Sequence, residues 1–328
     1  MNKTTNATFS NPVMTLNYLF TYTTKSNITL RHSRYLTDNW DNTESRVVFN
    51  PDSTSGEPWS TSLWAPEIHN ISGSWYIIFP AISDGDKPPR LLDAMCPAIN
   101  HRMFVLAGDG PDPWTAKFEM KPMVDTYDMF AIDGTYFHFE DRLYHIYSYW
   151  EHKYSSCPAN LCITRMSDPW TVNSTLSERR IISVPYGRLI RLATNEGPQQ
   201  LTNPKTGQNF IIYSAARVNT PVYCLGMLEL VGNDLMEYQS WKKRTEGYFV
   251  SSPDESEDYV VYHAQTTANP SSDLYRTARI QKLTWNEDGT PKFPLAENGP
   301  LPVPAGQQAL TKDRMHIPVV DDKGYSLS

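Results

Sequence analysis

The first thing missing is acid. The chain of 328 residues carries 36 Asp and Glu against 29 Lys and Arg, yet its first acidic side chain is Asp38. Long apolar runs are missing as well. None approaches the ~20 residues of a membrane span, and the opening "MNKTTNATFSNP" has no apolar signal-peptide core. Positive charge is short. A net charge of −7 and a pI near 5.6 disfavour nucleic acid or an anionic membrane as partner, since both require basic patches. Cysteine is sparse. Four (Cys96, Cys157, Cys162, Cys224) are too few for a disulfide framework. Cys157 and Cys162, in "CPANLC", either close a small loop or are small half-buried thiols. Neither spacing nor neighbours suit zinc. No phosphate-cradling Gly loop, His-Glu-x-x-His or Gly-x-Ser-x-Gly occurs. No amphipathic helix of any length is legible.

What is present points to β-structure. Tyr (19), Phe (12), Trp (9) and Pro (25) are plentiful, which favours short strands and many turns. Hydrophobic residues at 40% and charged residues at 20% describe a globular chain. Five sequons, at Asn2, Asn6, Asn27, Asn70 and Asn173, hint at a secretory origin.

One phrase recurs: a polar turn, then an alternating aromatic-apolar strand. Copies run from Leu63 to Ala81, Phe130 to Trp150, Thr194 to Ala216 and Gly247 to Ala264, with a shortened copy ending "YLFTYTT". Each holds two strands around a turn such as "ISGS", "FEDR", "NPKTGQ" or "SPDESED". Between copies lie "SNITLRHS", "HRMFVLAG", "NLCITRMS", "YCLGMLEL" and "RTARIQKLTW", expected as outer strands. Five such meanders predict an all-β, five-bladed β-propeller over residues 1–310, with a C-terminal tail at 311–328. A two-sheet sandwich is the competing fold.

Three carboxylates open successive repeats: Glu67 in "WAPEIH", Asp133 in "IDGTYF" and Glu196 in "NEGPQQ". Singly, each reads as a turn or corner residue. In a propeller they would converge on one mouth of the central channel. Carboxylates gathered there amid Trp, Tyr and His suit glycoside hydrolysis. One carboxylic acid protonates the leaving oxygen, and a second carboxylate activates water or attacks the anomeric carbon. A third, close by, raises the acid's pKa by like-charge repulsion.

The ordered set "LWAPEIHNISGSWYIIF", "AIDGTYF", "NEGPQ", "YCLG", "SEDYVVYHA" and "RTARIQKLTWNEDGTP" resembles glycoside hydrolase family 43, most of all its fungal α-L-arabinofuranosidase-like members. The resemblance implies a five-bladed propeller working with inversion on arabinofuranosyl or xylosyl linkages of plant cell-wall polysaccharide. It matches Glu196 to the general acid and Asp133 to the carboxylate that tunes and orients it. It matches Trp64 to an aromatic that helps shape the sugar pocket, and Arg279 to an Arg near the catalytic cluster; Glu67, at the head of its repeat, is a further candidate for binding the substrate. It also implies an extracellular location; a monomer with no cofactor is expected.

Here the missing acid matters. In this family the first blade opens on an Asp-Pro-Trp-type motif whose Asp is the general base. Two placements are open. "NPVMTL" is that motif with Asn11 in place of Asp, or "TFSNPV" is the segment that precedes it and the motif itself is lost. Under either placement the base carboxylate is absent. A Gly-Pro-Gly-His-type stretch expected before "YFVSSPDE" is also absent, and His263 is not its His, so no catalytic metal is expected. An Asn cannot take a proton from attacking water, and general-base help is typically worth ~10²–10⁴-fold. Glu67 and then Asp128 are the candidate replacements. The alternative function is a catalytically inactive propeller that binds arabinose-containing glycans.

Overall fold

The computed structural model describes residues 8–10, 18–84, 101–126, 128–151, 158–173, 179–185, 193–216, 223–244, 250–251, 257–265, 276–294, 302–305 and 307. Its strands form five antiparallel sheets, each cut from one contiguous stretch of chain. Blade 1 holds β1 (Thr8–Ser10), β2 (Tyr18–Thr21), β3 (Ile28–Ser33) and β4 (Ser45–Phe49). Blade 2 holds β5 (Glu67–Ile71), β6 (Ser74–Ala81), β7 (Arg102–Gly108) and β8 (Phe118–Met120). Blade 3 holds β9 (Ala131–Phe139), β10 (Arg142–Tyr149) and β11 (Asn160–Asp168), with β12 (Thr171–Val172) and β13 (Arg180–Ser183) sharing the edge of β11. Blade 4 holds β14 (Asn195–Thr202), β15 (Asn209–Ala215), β16 (Cys224–Leu230) and β17 (Trp241–Arg244). Blade 5 holds β18 (Val250–Ser251), β19 (Asp258–Gln265), β20 (Arg276–Trp285) and β21 (Pro291–Lys292).

The blades close into a five-bladed propeller because each packs its faces on two neighbours. Leu19, Ile28 and Leu30 of blade 1 meet Trp75, Ile77, Phe79 and Phe104 of blade 2. Ile78, Met103 and Val105 meet Tyr136, Tyr147 and Cys162 across the next joint. Phe137, Tyr144 and Ile146 meet Ile211, Tyr213 and Trp241. Phe210, Ile212 and Met227 meet Trp285 and Phe293. Tyr259, Val261 and Ile280 meet Tyr18, Leu36 and Trp40, which completes the ring. Both faces of a middle strand are therefore buried. On β10, Leu143, Tyr147 and Tyr149 serve blade 2 while Tyr144 and Ile146 serve blade 4. This explains why such strands read as nearly continuous apolar runs.

Turn chemistry sets the inner hairpins. Ser72 and Gly73 (φ 53° and 83°), and Glu140 and Asp141 (φ 48° and 58°), both form two-residue loops with positive φ at each position. Such loops match the strand twist. The five pieces expected as outer strands are instead third strands: β3, β7, β11, β16 and β20. The outermost strands are shorter, down to the two residues of β12 and β21, and leave little open edge. Helical structure among the described residues is limited to single 3-10 turns such as Trp40–Asn42 and Tyr238–Ser240. No described helix is long and apolar enough to cross a membrane.

A short C-terminal segment bridges the joint between blades 5 and 1. The Gln307 side chain accepts from the Leu36 amide at 2.8 Å and donates to Thr37 Oγ1 at 3.0 Å. The Ala305 amide donates to Glu257 at 2.9 Å. Cys162 is a free buried thiol, pushed up to about 12 by burial; Cys157 lies outside the described residues. The proposed tail at 311–328 lies outside them too.

Candidate active site

The innermost strands of blades 2, 3 and 4 begin at the same end of the ring, and each delivers a carboxylate there: Glu67 at the head of β5, Asp133 in β9 and Glu196 in β14. In two of the three blades the ladder is broken at that spot. In blade 3, Asp133 and Gly134 together oppose Tyr147, because the register shifts between Ile146–Thr135 and Ser148–Ile132. In blade 4, Gly197 and Pro198 together oppose Tyr213, because it shifts between Glu196–Ser214 and Gln199–Ile212. Both are β-bulges, which re-aim side chains where a site needs them. Asp133 (φ 52°) and Gly197 (φ 61°) hold the same bulge position. That left-handed conformation suits glycine and strains an aspartate.

The two bulges touch. The Gly197 amide donates to Asp133 Oδ2 at 3.1 Å. Asp133 is buried, at 5% exposure, and its carboxyl is held well above the usual carboxylate range. Burial is the main cause, followed by the charges of Glu196 and then Glu67; the Gly197 amide partly offsets them.

Glu67 is also buried, and both of its oxygens are engaged. Gln199 Nε2 of blade 4 donates to Oε1, and His69 Nε2 lies 3.0 Å from Oε2. The Gln199 bond reaches across the channel and ties blade 4 to blade 2. The approach to Glu67 is shaped by Ala65, whose φ is 31° and whose amide donates to Thr23 Oγ1 at 2.8 Å.

Trp64 lies next to this cluster. Its ring lies 3.8 Å from that of His101, tilted by 30°, and packs against Phe130, Ile132 and Trp150, with Ile132 just before Asp133 in the chain. Arg279 stands further out, half-buried on the third strand of blade 5 and opposite Tyr262. Asp128, the second candidate base, accepts from Arg102 Nη2 at 2.8 Å through a carboxylate that is 68% exposed.

The innermost strand of blade 1 is Thr8–Ser10, paired with Thr21, Phe20 and Leu19, and carries no acid. Both placements of the lost motif run into residues 11–17, which lie outside the described residues, as do residues 245–249 around the missing Gly-Pro-Gly-His stretch. His263 sits on β19 opposite Ala278. Among the described residues, no group of three or more His, Cys, Asp and Glu is placed to hold a metal ion.

Sequence reasoning missed the bulges, Gln199 and His69. The signal available for the bulges was the pair of glycines, Gly134 and Gly197, beside the two carboxylates.

The arrangement is thus a buried carboxyl, raised by burial and by two neighbouring carboxylates, at one mouth of a propeller beside an aromatic ring. Several known proteins are similar to this chain in sequence or in fold. The chain is 30% identical over 267 residues to "Alpha-L-arabinofuranosidase 43" of Humicola insolens, covering 74% of this chain and 52% of that protein. It is 32% identical over 267 residues to "Extracellular exo-alpha-(1->5)-L-arabinofuranosidase" of Streptomyces avermitilis, with the same two coverages, 74% and 52%. The chain therefore spans about half the length of these relatives. Among solved structures, an alpha-L-arabinofuranosidase from Lactobacillus brevis superimposes with a TM-score of 0.75 at 26% identity, covering 93% of this chain and 96% of that one. A thermostable family-43 glycoside hydrolase shares the fold, with a TM-score of 0.70 at 18% identity over 92% and 96% of the two chains. The sequence profile "Glycosyl hydrolases family 43" matches residues 11–291, and the chain belongs to that family.

Proposed function

We propose that the chain is an α-L-arabinofuranosidase-type glycoside hydrolase. It acts, with inversion, on arabinose- or xylose-containing plant cell-wall polysaccharide outside the cell. Glu196 is the general acid. It gives its proton to the glycosidic oxygen as the C–O bond breaks and positive charge develops on the sugar ring. Asp133 orients the acid by accepting from the adjacent Gly197 amide, and tunes it because two carboxyls this close disfavour one another's ionisation. Trp64 and Glu67 shape the sugar pocket, and Arg279, on the third strand of blade 5, contributes to substrate binding from further out. The observation that carries this reading is the contact between the two bulges, which brings Glu196 beside Asp133 and Glu67 at one mouth of the ring. Carboxyls brought this close disfavour one another's ionisation, which is how a glycosidase keeps a proton on its acid.

The general base is the weak part of the machinery. The innermost strand of blade 1 offers only Thr8, Phe9 and Ser10. Glu67 has both oxygens engaged, so it serves better as a binding residue than as a proton acceptor. Turnover is therefore slow, and this favours a second reading: a propeller that binds arabinose-containing glycans without cleaving them.

Hydrolysis of an aryl α-L-arabinofuranoside, with and without azide, separates the readings. Azide attacks the anomeric carbon directly, so the aryl alcohol leaves and a glycosyl azide of inverted configuration forms without a base. Aryl release that requires azide and disappears in Glu196→Gln supports an enzyme lacking only its base. Release without azide supports a substitute base. Silence in both, from folded protein that still binds arabino-oligosaccharide, supports the binding reading.

A further inference from the structure

His145 is a buried titratable group that the mechanism above does not use. It sits on β10, two residues before Tyr147, the residue that opposes the Asp133–Gly134 bulge. It is fully buried, and neither ring nitrogen has a hydrogen-bond partner among the described residues. Across the ladder, Thr164 Oγ1 is likewise buried without one. The ring stacks on Tyr147 at 4.6 Å and lies 6.4 Å from Tyr136. Its edge faces Gly134. A Cβ on that glycine would stand 2.3 Å from His145 Nε2 and 2.7 Å from Met103 Cε.

An apolar side chain would fill such a space without stranding two polar atoms. The contact with Gly134 gives a reason for the imidazole. It is flat and smaller than a phenyl ring, and it fits edge-on against a backbone that only glycine lets it approach. Burial drives its pKa down to about 3, so it is neutral and adds no charge beside the three carboxylates. The groups packed on it (Gly134, Tyr136, Tyr147, Thr164 and Met103) carry no charge either at neutral pH.

We propose that His145 is a positioning residue: it braces the Asp133–Gly134 bulge from behind and so fixes where the Asp133 carboxyl points. The left-handed φ of 52° at Asp133 is a conformation the backbone would leave if it could. Tyr147 opposes the bulge in the ladder, His145 stands against its glycine, and Gly197 holds the carboxyl from blade 4. The proposal rests on Asp133 being the partner that tunes the acid.

The test compares His145→Ala, Gly134→Ala and the double variant. Two readouts are used: titration of the Asp133 carboxyl by carbon NMR on Asp-labelled protein, and the pH profile of kcat/KM on an aryl α-L-arabinofuranoside. His145→Ala, folded by circular dichroism, is expected to bring the Asp133 midpoint down, because the vacated space admits water. It is also expected to lower kcat/KM about tenfold, the order expected of a small misplacement of a reacting group. Gly134→Ala, whose new Cβ collides with the ring, is expected to lose more. The double variant is expected to recover part of that loss, since the added methyl then occupies the space the ring has left. An unchanged Asp133 midpoint in folded His145→Ala overturns the proposal. So do losses that simply add in the double variant. If His145→Ala fails to fold, His145→Val, apolar but smaller than the ring and so still leaving space behind Gly134, carries the same test. The NMR readout needs no turnover, so a wild type silent on glycosides would count against the enzymatic reading while the midpoint still decides the brace.

Discussion

The amide of Gly197 donates to the Asp133 carboxyl at 3.1 Å, so the residue after the proposed acid holds the residue proposed to tune it. The cost of this arrangement falls on folding. Asp133 is raised in the folded chain, so it contributes stability below the ordinary carboxylate pKa of about 3.9, and that contribution is lost as pH rises through its folded value. Asp133→Asn removes the penalty and tolerates the positive φ. We expect its Tm at pH 7 to exceed that of the wild type, the difference to vanish near pH 4, and any hydrolysis to fall by about 10²-fold or more. Thermal melts at the two pH values and one rate measurement check this.

Glu196→Gln should behave as the loss of an acid. The drop in kcat is expected to be about 10²–10⁴-fold for phenyl arabinofuranoside and much smaller for a dinitrophenyl leaving group, which departs without a proton. Equal losses on both substrates would remove Glu196 from that role.

Glu67 connects three of the site's parts at once: His69, Gln199 and the field at Asp133. Glu67→Gln takes away a negative charge and should lower the Asp133 midpoint. It should also raise KM more than it lowers kcat, as befits a pocket residue. A collapse of kcat with KM unchanged would point instead to Glu67 as the substitute base.

How much of this was legible in the sequence follows from where each signal is written. Glu67, Asp133 and Glu196 stood out because each opens a repeat, and a repeat is a property of one strand's own residues. The hairpins at Ser72–Gly73 and Glu140–Asp141 were legible for the same reason, since a two-residue turn is local. The bulges were not. Whether Asp133 and Gly134 face one residue or two depends on Tyr147, and register belongs to a pair of strands. Nor was the rank of "RTARIQKLTW" and its counterparts. The strand outside β20 is only Pro291–Lys292, too short to leave a pattern, so third strands read as outer ones. The bond from Gln199 to Glu67 joins residues 132 apart in sequence and has no local trace.

Glu257 should govern stability in acid. It accepts from Lys282, Tyr259 and the Ala305 amide, and its pKa is lowered to about 2, first by the Lys282 bond. Its contribution is present above the unfolded value of about 4.3 and is lost as pH falls through about 2. Glu257→Gln is expected to cost about 1 kcal/mol at pH 7, the scale of a partly exposed charged hydrogen bond. The wild type and the variant should converge in melts near pH 2.

The same joint decides how the ring comes apart. Blade 1 is built wholly from the start of the chain and blade 5 from its later part, with no strand exchanged between them among the described residues. The other four joints are crossed by chain running directly from one blade to the next. This one is fastened by a side-chain cluster and a buckle at Ala305 and Gln307. It is the seam of the wheel. We expect heating to expose the amides of blades 1 and 5 to hydrogen exchange before those of blades 2 to 4, which carry the three carboxylates.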